Sequence, residues 1–311
     1  MYNTTVKKTF LFITLFIAFA MACDLSVAVS PSTSTAPLPT NTVIAPSETF
    51  TSIPESATPI PATAAPAPTS ILPPPSFEGA EVFFGSLRLV LPPGLASGVR
   101  GSQLPRVDGE DSPIWGRTPG HTQLALEGYL LQGKFHQPQI LVYPAQGYAE
   151  LVPAAFESLH RLNNILGGMP LSSEQLPAIP SFNAQQAFAS NMQLISFQNG
   201  RGVRFLTEYG QYAASANNNE LFYHFQGLTS DGAYYIIAVL PITVPVIAET
   251  SDGGAVLPPG GIPYPYFADP NADMEAYYAA VTALLDGTSP EAFSPTINRL
   301  DQLIQSMRIT P

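Results

Sequence analysis

From residue 76 onward the sequence predicts an α+β fold: a mostly antiparallel sheet of roughly five to seven strands with about three helices. Three observations carry this. Apolar and polar residues alternate with a period of two through several short runs, the mark of strands. The period changes to that of a helix in three places. Turn sequences join adjacent strand runs directly, and short connections make antiparallel neighbours.

In chain order, 82–91 (VFFGSLRLVL) places Leu87, Leu89 and Leu91 in alternation with Arg88 and reads as one strand, ended by Pro92-Pro93-Gly94. The stretch 96–120 reads as loop, with Asp108, Glu110, Asp111 and the single Trp, Trp115. Strands follow at 121–131 and 139–143, the latter stopped by Pro144. A helix is expected over 151–166. Val152, Phe156, Leu159, Leu162 and Leu166 share its inner face, Pro153 suits its first turn, and Gly167-Gly168 stops it. The Pro-interrupted 168–189 reads as irregular, with a helical turn at 183–188.

The clearest local signal is a hairpin, 192–197 with 203–212, turning at Asn199-Gly200. A second hairpin joins 220–228 to 233–242 through Thr229-Ser230-Asp231-Gly232. In 233–242 both alternating sets are apolar (Tyr234, Ile236, Leu240 and Tyr235, Ile237, Val239), which predicts a central strand covered on both faces. After a long loop over 243–269, helices are expected at 274–285, opened by Asp269-Pro270 or Asn271, and from Ser294-Pro295 onward. The last turns Ile297, Leu300, Leu303, Ile304 and Met307 inward and leads to a short edge strand at 307–309.

The chain before this domain divides at 22 and 75. Residues 1–9 carry Lys7 and Lys8 and no acid; 10–22 are apolar or small apart from Thr14. A stretch of thirteen residues is too short for a membrane-crossing helix, which needs about 20, and fits the h-region of a signal peptide. Ala20-Met21-Ala22 suits ordinary secretory cleavage. The junction Ala22-Cys23 resembles the lipobox of bacterial lipoproteins, although Ala20 stands where Leu is usual. That resemblance implies a diacylglyceryl-modified Cys23, a membrane anchor and an extracytoplasmic location. The chain's only cysteine falls at the required place. Residues 24–75 hold 12 of the 33 prolines amid Ser, Thr and Ala, and read as a disordered tether reaching on the order of 160 Å when extended.

Composition excludes several function classes. Net charge is −11, charged residues make up 11%, and no Lys/Arg cluster exists, so nucleic acid is not an expected partner. No G-x-S-x-G, H-E-x-x-H, Walker or G-x-G-x-x-G motif occurs, and His121, His136, His160 and His224 show no metal-ligand spacing. Neither cofactor nor metal is expected.

The candidate binding residues are Arg204, Glu208, His224, Gln226, Tyr264 and Tyr266. His224 shares an alternating set with Phe222 and Gln226. Arg204 and Glu208 alternate together on the neighbouring strand. They form a polar patch with His224 if the register brings them together; otherwise His224 is a hydrogen-bonded histidine under a helix or at a sheet face, and Arg204 and Glu208 are a solvated face or a cross-strand ion pair. Tyr264, Tyr266 and Phe267 lie in a Pro/Gly loop and suit either stacking on a sugar or partner protein, or a lid on the core.

The order of elements, closing in a helix that runs into SMRI, resembles the PsbP/Mog1-type α/β/α sandwich. The segments FQNGRGVRFLTEYGQ and ELFYHFQGLTSDGAYYIIAVLPI resemble exported proteins of filamentous, Chloroflexus-like bacteria. Neither resemblance implies an activity. The expectation is a membrane-tethered binding or structural module of the cell envelope, with an envelope protein or glycan as partner. The alternative is an envelope enzyme acting on a small molecule or glycan near His224.

Overall fold

The computed structural model describes residues 76–265, 269 and 271–310. The expected signal segment (1–22), Cys23, the expected tether (24–75), Tyr266 and Phe267 lie outside the described residues.

Seven antiparallel strands form the main sheet, in the order β3-β4-β5-β11-β10-β8-β7. They are β3 (Gly98–Leu104), β4 (His121–Glu127), β5 (Gln139–Pro144), β7 (Ser190–Phe197), β8 (Gly200–Thr207), β10 (Phe222–Thr229) and β11 (Tyr234–Pro241). A smaller sheet orders β1 (Ala80–Phe84), β2 (Leu87–Leu91) and β12 (Arg308–Ile309); β6 (Gln185–Gln186) pairs with β9 (Tyr209–Gly210). The helices are α1 (Ala145–Leu151), α2 (Pro153–Leu166), α3 (Met274–Asp286) and α4 (Ile297–Gln305). The chain is thus α+β, with a mostly antiparallel sheet.

The main sheet separates two apolar clusters. On one face Tyr235, Ile237 and Val239 of β11 pack with Tyr148 of α1 and Leu159 and Leu162 of α2. On the other face Ile236, Ala238 and Leu240 pack with Val281 of α3, Leu300 of α4 and Leu89 of the small sheet. The two apolar sets of β11 therefore serve two layers, as alternation on a doubly covered strand requires. Helix α4 buries Ile297, Leu300, Leu303 and Ile304, and Met307 follows them inward.

Several elements depart from the sequence reading. Run 82–91 is two strands, because Gly85 at φ +57° turns the chain in the middle of an uninterrupted alternation. Stretch 96–120 contains the edge strand β3. Its Gly101 passes under the Phe84 ring, where a Cβ would come within 2.2 Å. Over 151–166, Val152 leaves helical geometry and splits the helix ahead of Pro153. The inner face of α2 is Ala155, Ser158, Leu159, Leu162 and Ile165, while Phe156 is 60% exposed. Residues 183–188 hold β6 in place of a helical turn. Helix α3 is capped by Asp273, whose carboxylate accepts from the Ala276 amide at 2.8 Å, and α4 by Thr296.

The first hairpin forms one residue out of the expected register. Phe197 pairs with Gly200, so the loop is Gln198-Asn199 and Gly200 belongs to β8. Gly200 is required by space: a Cβ there would lie 2.2 Å from the Phe197 ring and 2.3 Å from the Leu228 carbonyl oxygen. Asn199 uses its side-chain amide to bind the backbone of Ile309 through both its oxygen and its nitrogen.

Candidate functional site

The five sequence candidates among the described residues, Arg204, Glu208, His224, Gln226 and Tyr264, do not form one site. Position 204 pairs with 225, and 205 with 224, between the adjacent strands β8 and β10. Side chains alternate across a strand, so Arg204 and His224 face opposite layers. The polar patch of Arg204, Glu208 and His224 is therefore ruled out by register.

Beneath α2, His224 is fully buried. Its Nδ1 donates to the Ala238 carbonyl at 2.8 Å, which leaves Nε2 to accept from Gln226 Nε2 at 2.7 Å. Gln226 also donates to the Pro177 carbonyl at 2.9 Å and accepts from the Tyr235 hydroxyl. Burial lowers the His224 pKa to about 3, so the ring is neutral. Both nitrogens are occupied and no solvent reaches them. This arrangement fixes loop 177–178 to the sheet and offers nothing for proton transfer to a ligand.

On the opposite face Arg204 sends Nε and Nη2 to the Asp301 carboxylate of α4 at 3.2 and 3.1 Å. It also reaches Gln193 Oε1 at 2.6 Å and the Asn191 carbonyl. Asn191 itself bulges from β7 at φ +52° and donates to the Leu285 carbonyl at the end of α3. Tyr223 adds a hydroxyl to Asp301 at 2.8 Å. This ion pair ties α4 to the sheet.

Glu208 is buried at the end of β8 and accepts from the Asn217 amide at 2.7 Å. Burial raises its pKa well above the usual carboxylate range. The Tyr264 hydroxyl donates to the Ala213 carbonyl at 3.0 Å, and its ring stands edge-on to Tyr277 at 5.2 Å. Tyr278 donates to the Ala214 carbonyl, and Tyr277 accepts from the Ala216 amide. Glu208 and these three tyrosines together brace loop 211–219 from behind.

The front of that loop lines a cavity of about 470 Å³. Its lining includes Trp115 from the β3–β4 connection, Phe135 from the β4–β5 connection and Tyr212 from the loop after β9. These are 42%, 64% and 82% exposed. The exposed large aromatics among the described residues are these three with Phe83 and Phe156, so most of that class meets at one place. Behind them, Phe182 stands edge-on to Tyr209 at 5.3 Å and stacks with His136 at 5.5 Å.

Ser181, Asn183, Gln211 and Ser251 add neutral polar groups to the lining, and among its polar side chains His136 and Glu220 carry shifted ionisation. His136 Nε2 is buried without a hydrogen-bond partner, and burial lowers the ring's pKa to about 4. Glu220 contributes a carboxyl whose pKa is raised by partial burial. Roomier hollows of about 730 and 700 Å³ lie at the β7–β8 turn and beside α3, but neither gathers exposed aromatic side chains.

Sequence reasoning missed Phe135, Tyr212, His136 and Glu220. The available signal was a large aromatic outside any alternating run: Trp115 and Phe135 stand in polar or Gly-containing connections, whereas Tyr212 fell inside the expected strand 203–212 and gave none. Among the described residues, no His, Cys, Asp and Glu side chains cluster to hold a metal, and no helix is long and apolar enough to cross a membrane. Comparison with protein-family models, curated proteins and solved structures yields no match.

Proposed function

We propose that the chain is a lipid-anchored extracytoplasmic protein acting as a non-catalytic binding module of the cell envelope, with the aromatic cavity as its binding site. Cys23 carries the lipid, 1–22 is the cleaved signal peptide, and 24–75 spaces the domain from the membrane. The observation that carries the binding site is the meeting of Trp115, Phe135 and Tyr212, from three separate connections, at one cavity. Leaving large aromatic surface in water forgoes burial worth about 1.5–3 kcal/mol per side chain, and a ligand recovers it. The closed geometry of His224 and Arg204 supports a role without catalysis.

Two measurements test this. A Cys23→Ala chain should leave the membrane fraction and lose the mass of the lipid; one that stays fully membrane-bound refutes the anchor. The Cys23→Ala chain should be retained on isolated, detergent-extracted envelope material, and combined Trp115→Ala, Phe135→Ala and Tyr212→Ala substitution should abolish that retention. Undiminished retention removes the cavity from the reading.

A further inference from the structure

The charges around the cavity narrow what it holds. Glu220 is the one Asp, Glu, Lys or Arg among its lining residues. His136 is neutral, its ring held among Phe135, Phe182 and Phe222 at 4.9, 5.5 and 4.5 Å. The cations nearest in sequence have partners of their own. Lys134, beside Phe135, pairs with Glu249 at 3.5 Å, and Arg117, two residues from Trp115, donates to the Ser112 carbonyl at 3.2 Å. The cavity is therefore anionic and aromatic, on a chain whose formal charge is −11.

An anionic ligand would meet a carboxylate with no counter-charge. A neutral ligand would use the half-buried Glu220 carboxylate only as a hydrogen-bond acceptor and leave its charge unpaired. An alkylated ammonium satisfies both features. Its charge is spread over methyl groups that lie against ring faces, where the π quadrupole attracts it, and it is weakly enough hydrated to enter. Glu220 then supplies the counter-charge.

We propose that this cavity binds a quaternary ammonium group, with Glu220 as counter-ion and Trp115, Phe135 and Tyr212 as the aromatic walls. The inference rests on the reading of the cavity as the binding site and adds the ligand's chemistry to it. The group is either that of a free compound or the headgroup of a choline lipid.

Trp115 is the chain's only tryptophan, so intrinsic fluorescence reports on this cavity alone. The full chain is titrated with choline, with its neutral isostere 3,3-dimethylbutan-1-ol, and with a chitin disaccharide. Choline should saturate the signal and bind at least tenfold more tightly than the isostere. Glu220→Gln should weaken choline at least tenfold and bring it level with the isostere. Tyr212→Ala, at a position 82% exposed and so safe for folding, should weaken choline as well. Flotation of the Cys23→Ala chain, which lacks the lipid, with phosphatidylcholine but not phosphatidylglycerol vesicles assigns the group to lipid; saturation by free choline without flotation assigns it to a free compound.

Equal binding of choline and isostere overturns the ammonium inference. Saturation by the disaccharide alone also overturns it but leaves the binding-site reading standing. No response to any probe from a chain with an unaltered thermal midpoint overturns the ammonium inference, while the envelope-retention experiment decides the binding-site reading separately.

Discussion

Arg204 and His224 stand on neighbouring strands and point to opposite layers, Arg204 onto Asp301 of α4 and His224 onto Gln226 and the Ala238 carbonyl beneath α2. One sheet thus carries two independent polar anchors, one for each helical layer. Each can be perturbed without touching the other.

Asp301→Asn removes the counter-charge of a guanidinium whose side chain is 6% exposed. Breaking such a pair costs about 3–5 kcal/mol, because the surviving charge stays buried. The double variant Arg204→Met/Asp301→Leu should lose less, since no charge is left behind. Urea unfolding gives both values, and a loss under about 1 kcal/mol for Asp301→Asn contradicts an anchoring role.

Glu208 should make the protein less stable as pH rises. Its folded pKa lies above the ordinary 4.5, so the unfolded chain releases this proton first. The destabilisation starts near pH 4.5 and grows toward the raised folded value, at up to about 1.4 kcal/mol per pH unit. Glu208→Gln should match the parent at pH 4 and exceed it at pH 8. Parallel stability–pH curves for the two proteins would show that the carboxyl ionises freely in the fold.

His224 works in the opposite sense. Its pKa falls from 6.5 to about 3, so the unfolded chain takes up the proton first as pH drops. The contribution is complete above pH 6.5 and is lost progressively toward pH 3. His224→Phe should cost about 1–3 kcal/mol at pH 7, because Gln226 and the Ala238 carbonyl lose a partner. It should also flatten the decline between pH 6.5 and 4. A slope equal to the parent's argues against a neutral buried ring.

Asn199→Gly separates the observed hairpin from the expected one. In a tight Asn-Gly turn the change is harmless. Here it removes both hydrogen bonds to Ile309 and should lower stability by about 1–2 kcal/mol. An unchanged urea midpoint would restore the expected turn.

What the sequence made legible was set by alternation. In β10, β11 and α4, apolar spacing alone identifies the elements and their inner faces, since burial there is dense and periodic. Alternation cannot register a turn that preserves it, so Gly85 went unseen within 82–91. Nor does it find β3, an edge strand of GVRGSQL with little apolar content to repeat. The site was less legible still. His224, Gln226, Arg204 and Glu208 attract notice as polar residues within strands, but polar groups inside a sheet are commonly there to satisfy the interior. The cavity draws Trp115, Phe135 and Tyr212 from far apart in the chain, and only tertiary structure brings them together.

The pairing of β2 with β12 joins residues 87–88 to 308–309. Two residue pairs close a loop of more than two hundred residues, so this contact forms only after the intervening layers have organised it. It should close late in folding and, as a ladder of two pairs, open early. Hydrogen exchange at Arg308 and Ile309 should therefore outpace that of β10 and β11 under native conditions, and limited proteolysis of the folded protein should begin near this seam.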